Sequence, residues 1–197
     1  MSLVELIAQA DERGLAASGL ACLDRCVPLL GGDDLVLRPL WASLADGSDW
    51  SEGLEKARGS LGTGEATGEG IGKGGGEGTG ENADEAEMLA RRMLAAAPAS
   101  QEAAGIRLWA DACSVASLQI HRLLDPAEDR APSVDSRREG GTEGMSPLVA
   151  AELRRQVTVL ELLAGHGAAG LRRALDISTE GRRVLRAVVS RRARGLG

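Results

Sequence analysis

The stretch that decides the fold is Ser100–Asp125, which reads SQEAAGIRLWADACSVASLQIHRLLD. Six of its residues recur at alternating steps of three and four, which places them on one face of an α-helix. They are Ile106, Trp109, Cys113, Ala116, Ile120 and Leu123. At 1.5 Å per residue, such a helix is about 40 Å long and spans a small domain. The pattern predicts one long central helix against which shorter amphipathic helices pack.

The composition of the 197-residue chain favours helices over strands. It includes no Phe and no Tyr, and its three Trp are Trp41, Trp50 and Trp109. The core volume must therefore come from Leu, Val, Ala and Met, whereas the aromatic residues that favour strands are nearly missing. We expect an all-α protein, an irregular helical bundle of about seven to nine helices around the central one, with a Gly-rich insertion.

Capping and breaking residues divide the N-terminal helical part, residues 1–61, into four predicted helices. Ser2 and Glu5 have the spacing of a capping box. Gly14 is placed to end the first helix, and Pro28 is placed to end the second. The expected spans are about 2–13, 15–27, 39–45 and 48–60, with Ser48 as the cap of the fourth.

The composition of residues 62–82 predicts a flexible linker or insertion. Between Gly59 and Gly80 half of the residues are Gly, and the others are mainly Glu and Thr. A segment with so little apolar surface cannot offset the entropy of being ordered. Because the N-terminal part alone is marginal in size, we expect it to share one core with the C-terminal helical part, residues 83–197.

The same signals predict further helices and a second loop after the linker. Asn82 has the position of an N-cap, and Pro126 ends the central helix. Ser146-Pro147 has the form of a helix start, so residues 126–144 are predicted to be a loop. The helices are expected over about 83–97, 100–125, 146–164, 168–175 and 179–192.

The Gly-rich segment lacks the spacing of a phosphate-binding loop. Such a loop needs Gly where Thr67 stands, and it needs Ser or Thr after Lys73, where Gly74 stands. No strand is predicted before it. Nucleotide binding by this segment is therefore not expected.

The cysteines and histidines form no catalytic or metal-binding set. Cys22 and Cys26 share a helix face, but no further ligands have partner spacing, so we interpret them as reduced core residues. Cys113 and His121 would be about 12 Å apart along one helix, too far for a nucleophile and its base. We expect no catalytic residue, no cofactor and no metal.

Charge is distributed unevenly along the chain. The net charge is −6, yet residues 166–197 carry eight Arg and only two acidic residues. Arg182, Arg183 and Arg186 spread over the polar side of the last predicted helix. Together with that helix, residues 171–178 resemble a helix-turn-helix, which implies that these arginines contact DNA. The alternative is that they pair with the acidic N-terminal half of the chain.

These features predict the class of function by elimination. The first hypothesis is a non-enzymatic helical protein-interaction or scaffold/regulatory protein that binds a protein partner or a second copy of itself. The alternative is a DNA-binding regulator that uses residues 166–197. A third is a pocket between helices, for which Trp41, Trp109 and Cys113 are the candidate lining or core residues.

The sequence also suggests a source and a compartment. Arg outnumbers Lys by 21 to 2, which is typical of a high-GC bacterial genome. Glu5 and Asp11 interrupt what would otherwise be a signal-like segment, and no apolar run approaches 18 residues. We therefore expect a cytoplasmic protein without a membrane span.

Overall fold

A computed structural model of the chain describes residues 1–62, 77–100 and 102–195. These ranges contain nine α-helices and no strand, which confirms the predicted all-α bundle. The helices are α1 (Leu3–Gln9), α2 (Glu12–Cys26), α3 (Arg38–Asp46), α4 (Ser51–Gly62), α5 (Glu77–Ala95), α6 (Ala103–Leu124), α7 (Val134–Arg138), α8 (Pro147–His166) and α9 (Gly170–Gly195). Single 3-10 turns at Val27–Leu29 and Gly167–Ala169 follow α2 and α8.

The first helix boundary differs from the predicted one. The capping box of α1 is present, because the Ser2 hydroxyl accepts a hydrogen bond from the Glu5 amide and the Glu5 carboxylate accepts one from the Ser2 amide. The predicted stop at Gly14 is wrong. Asp11 is the N-cap of α2, and its carboxylate accepts from the Gly14 amide at 2.7 Å. An N-cap that satisfies a free amide fixes the start of a helix more strongly than a Gly in its first turn weakens it.

The predicted end of the second helix at Pro28 is confirmed, and the third helix begins one residue before its predicted start. α2 ends just before Pro28, and Pro39 lies in the first turn of α3. The predicted cap at Ser48 is wrong, because α4 begins at Ser51, whose amide donates to the Asp49 carboxylate at 2.8 Å.

α5 begins earlier than predicted. It starts at Glu77, so Asn82 lies inside the helix and is not its N-cap. Residues 63–76 of the predicted linker lie outside the described residues, whereas residues 77–82 are helical.

The predicted loop over residues 126–144 contains the short helix α7. The Asp129 carboxylate holds this region together. It accepts hydrogen bonds from the amides of Ala131 and Ser146, at 3.0 Å each, and from the Arg137 guanidinium. A buried carboxylate that is satisfied by several donors orders a segment that turn-forming residues alone would leave open.

The helix with the most complete burial is α2. Its residues from Gly14 to Cys26 are all buried, and it packs against α3, α5, α6, α8 and α9. α6, the long helix of the opening stretch, packs against α2, α5, α7 and α8. A helix that is buried on all sides and rich in small residues fits between several neighbours. Buried apolar residues from every α-helix form one continuous cluster.

None of the helices in the described ranges is both long enough and apolar enough to cross a membrane.

Candidate functional site

An apolar groove with a volume of about 510 Å³ lies between α5 and α6. Leu89 and Met93 line it from α5, Trp109 and Val115 line it from α6, and Val134 of α7 also lines it. The volume lies within the range of about 300–1,000 Å³ that is usual for binding sites. Polar groups are few in its lining, so the groove is suited to apolar side chains or apolar ligands.

The groove exists because α6 is apolar on two sides. On its inner face four residues of the predicted stripe are buried, Ile106, Trp109, Cys113 and Ile120, whereas Ala116 and Leu123 are only half-buried. A second stripe faces outward, with Leu108, Ala112, Val115 and Gln119 at helical spacing. Leu108 is 75% exposed and Ala112 is also exposed. A Leu at this level of exposure gains nothing from folding, which makes the stripe a candidate contact surface.

Trp109 forms one side of the groove and is fixed in place. Its indole Nε1 donates a hydrogen bond to the carbonyl oxygen of Met93 at 2.9 Å, which joins α6 to α5. The rings of Trp109 and Trp50 meet edge to face, with centroids 5.7 Å apart at 90°. A side chain held on two sides in this way gives the groove a preformed shape.

The three predicted pocket or core residues separate in the structure. Trp109 and Cys113 both line the groove, and both are buried. Trp41 lies on α3, and its indole Nε1 donates to the Asp24 carboxylate at 2.9 Å, so it does not line this groove. Burial raises the pKa of the Cys113 thiol well above its usual value, which keeps the thiol protonated and unreactive.

A buried ion pair between Arg25 and Glu152 is the main polar feature of the interior. Both side chains have 0% exposure, and the guanidinium donates to the carboxylate through Nε at 2.8 Å and Nη2 at 2.6 Å. Ser117 and Gln156 donate to the same carboxylate at 2.7 and 2.9 Å. The pair joins α2 to α8. Burial raises the pKa of Glu152, but the charge of Arg25, the neighbouring His121 and the hydrogen bonds from Arg25 and Gln156 lower it to about 2.

Two thiols and one imidazole lie near this pair in the interior. His121 Nε2 lies 3.6 Å from Glu152 Oε2, and Nδ1 is in hydrogen-bond contact with the Ser117 carbonyl at 2.7 Å. Burial raises the pKa of Cys22 to about 12 and raises that of Cys26 further. All of these groups are buried. In the part of the chain that the structure describes, no group of three His, Cys, Asp or Glu residues is placed to hold a metal ion.

The lowered pKa values of His121 and Glu152 predict that the free energy of unfolding falls in two steps as the pH is lowered. Burial lowers the pKa of His121 below 6.5, so the unfolded chain takes up this proton first and the free energy of unfolding falls as the pH drops below about 6.5. The Glu152 carboxylate contributes stability that is present above pH 4.5 and is lost as the pH falls towards about 2.

Urea unfolding between pH 8 and pH 3 checks this pH dependence. We expect His121→Gln to remove the decline that begins near pH 6.5 and to leave the decline below pH 4.5. An unchanged slope between pH 7 and pH 5 in His121→Gln would show that another group is responsible for the first step.

The predicted DNA-contacting arginines have different surroundings in the structure. Arg182 is buried and pairs with Asp24, and Arg186 pairs with Asp34, whose pKa it lowers through its hydrogen bonds. Arg183 is exposed. Two of the three thus pair with acidic residues of the N-terminal part, which was the alternative interpretation of the uneven charge.

The predicted helix-turn-helix is wrong, because α9 is one continuous helix of 26 residues through the position of the expected turn. Ser178, at that position, is buried and donates to the Ala174 carbonyl at 2.8 Å within the helix. DNA binding by residues 166–197 stays a prediction that rests on the exposed arginines.

Comparison with known proteins does not assign this chain to a family. The chain was compared with protein-family models, with curated proteins and with solved structures, and none of them matches.

Proposed function

We propose that this chain is a non-enzymatic protein-interaction protein, and that the groove between α5 and α6 binds the apolar face of a partner helix. The observation that carries this proposal is the outward stripe of Leu108, Ala112 and Val115, which continues the lining of the groove onto the open surface. Contiguous apolar surface bordered by polar residues is typical of sites where another protein docks.

The shape of the site supports a helical partner. Two packed helices leave a furrow between them, and a third helix can fit its ridge of side chains into that furrow at spacings of three and four residues. Met93 and Trp109 form the buried wall of this furrow, while Arg92 and Gln119 supply the few polar groups at its edges. A partner with apolar residues on one face and acidic or amide groups beside them matches this arrangement.

The interior supports a role without catalysis. The groups that could act as acid, base or nucleophile are Glu152, His121 and the three cysteines. They are buried within the bundle, and Cys113, which lines the groove, has a raised pKa. Arg25 satisfies the one strongly ionised carboxylate among them. The contacts of these buried polar residues are therefore explained by a structural role in the core.

Fluorescence anisotropy with a designed peptide tests the proposal. The probe is a fluorescein-labelled amphipathic peptide of about five helical turns, with Leu at helical spacing on one face and Glu and Gln on the other. We expect the chain to bind this peptide more tightly than a scrambled peptide of the same composition. Ala112→Glu should weaken binding at least about tenfold, because it buries an unpaired carboxylate under the peptide.

Ala187→Glu is the matched control, since Ala187 is also an exposed Ala on a helix but lies on α9, away from the groove. It should leave binding unchanged. Equal binding of the designed and scrambled peptides, or equal loss in the two variants, would overturn the proposal.

A further inference from the structure

The outward side of α5 carries a stripe of exposed residues beside the groove. Glu81, Glu85, Met88, Arg92 and Ala96 follow one another at steps of four, three, four and four, and each is exposed. Helical spacing places all five on one face. The stripe is acidic towards the start of α5, apolar at its middle and basic towards its end.

This order of charges along α5 is complementary to that of a second α5 related to it by a two-fold axis. If a second α5 lies antiparallel against the first, with the axis between Met88 and Leu89, then Glu85 of each copy faces Arg92 of the other. The same operation places Met88 against Leu89 and brings the apolar residues of the two copies together at the centre. A two-fold interface requires such self-complementarity, because each residue meets its counterpart twice.

Two charges of this stripe, those of Glu85 and Arg92, are the ones that would meet across such an interface. Neither Glu85 nor Arg92 forms an ion pair with another residue that the structure describes. They cannot pair within α5, since seven residues separate them by about 10 Å along the axis. Their neighbours behave differently, because Glu87 and Arg91 are paired at 2.7 Å through the usual spacing of four.

Large apolar side chains are also exposed on the two helices that border the groove. Met88 is 43% exposed on α5, and Leu108 is 75% exposed on α6. The outward stripe of α6 lies beside that of α5 across the groove. A second copy would therefore cover both stripes and the groove between them.

The size of this face is suitable for a dimer. α6 has 22 residues, which at 1.5 Å each give a length of about 33 Å. Two adjacent helices of about 10 Å diameter give a width of about 20 Å. The face therefore approaches the area of about 800 Å² per partner that a stable interface buries.

From this pattern we infer that the helical partner is a second copy of this chain, docked through α5 and α6 about a two-fold axis near Met88 to form an antiparallel four-helix interface. This inference rests on the proposed function, and it names the partner. A second α5 turned end for end places its Arg92 opposite Glu85 and its Glu85 opposite Arg92. The order of these two charges along α5 therefore favours a second copy of the same chain as the partner.

Sedimentation equilibrium of charge-reversal variants tests the inference. The wild-type chain should dimerise, and Glu85→Arg and Arg92→Glu should each weaken the dimer at least about tenfold, because each places like charges opposite each other twice. The double variant E85R/R92E exchanges the two charges and should restore the dimer to within about threefold of wild type. Arg173→Glu, an exposed reversal on α9, should have no effect.

A Met88→Cys variant gives a second measurement. Cys22, Cys26 and Cys113 are buried, so the new thiol is the accessible one among the described residues. Mild oxidation with oxygen and copper phenanthroline should link two copies covalently at this position, while Ala187→Cys should form no covalent cross-link.

The possible results separate this inference from the proposed function. A monomer at all concentrations, or a dimer that neither single reversal weakens, would overturn the second copy as partner. If the designed peptide still bound the wild-type chain and lost affinity for Ala112→Glu, the helix-binding groove would stand without the dimer. If the peptide did not bind but the chain dimerised and the single charge reversals weakened that dimer, the surface formed by α5 and α6 would bind only a second copy of the chain.

Discussion

Replacing Glu152 by Ala is expected to lower the free energy of unfolding by about 3–5 kcal/mol. The carboxylate accepts two hydrogen bonds from the Arg25 guanidinium and one each from Ser117 and Gln156, and both charged side chains are fully buried. Its removal leaves a guanidinium in the core without a counter-ion. Urea unfolding followed by far-ultraviolet circular dichroism measures the loss.

The double replacement R25M/E152L is the informative companion to that variant. It removes both charges and fills the space with apolar atoms, so it should cost less than Glu152→Ala alone. The exposed pair of Lys56 and Glu52 provides the control, because Lys56→Ala should change stability by no more than about 0.5 kcal/mol. If the double replacement were the least stable of the set, the pair would contribute net stability beyond neutralising a buried charge.

The fold class followed from the sequence because periodicity and composition act over many residues. The stripe from Ile106 to Leu123 recurs through six apolar residues, so single exceptions do not hide it. Individual boundaries depend on one or two local contacts. The choice of Asp11 over Gly14 as the boundary between α1 and α2 depends on one carboxylate hydrogen bond.

The continuity of α9 was missed because the sequence around Asp176 lacks a decisive signal. Neither Gly nor Pro interrupts it, and the turn was inferred from a motif resemblance alone. In the structure, Ser178 and Gly181 pack in the interior, and a Cβ at Gly181 would meet the Arg25 side chain at 2.4 Å. Tertiary packing against α2 thus keeps the segment helical, and local propensity does not reveal such packing.

About half of the candidate site was predictable. Trp109 and Cys113 were identified from the stripe of α6, but the contribution of α5 was not, because which helices adjoin depends on the whole fold. The pair of Arg25 and Glu152 joins residues 127 positions apart. A charged residue within the small, apolar run of α2 was the one available sign that a buried partner exists.

Replacing Trp109 by Ala is the second change for which we expect a large effect, about 3–5 kcal/mol of unfolding free energy. The substitution removes a buried indole, its hydrogen bond to the Met93 carbonyl and its edge contact with Trp50. It also opens a cavity beside Gly19 of α2, where the two helices approach closely. Thermal unfolding followed by far-ultraviolet circular dichroism measures this loss.

Gly19→Ala shows whether the contact between α2 and α6 is as tight as the distances indicate. A Cβ at Gly19 would lie 2.7 Å from Cζ3 of Trp109, so Gly19→Ala should cost about 1–3 kcal/mol in the wild-type chain. In the Trp109→Ala background the same methyl group enters the cavity. There it should be neutral or stabilising, because Ala favours helix over Gly by about 1 kcal/mol. Gly165→Ala, which has no atom within 4 Å of its Cβ, should stabilise both backgrounds equally. If Gly19→Ala lowered the free energy of unfolding equally in the wild-type and Trp109→Ala backgrounds, the indole would not set the spacing of these two helices.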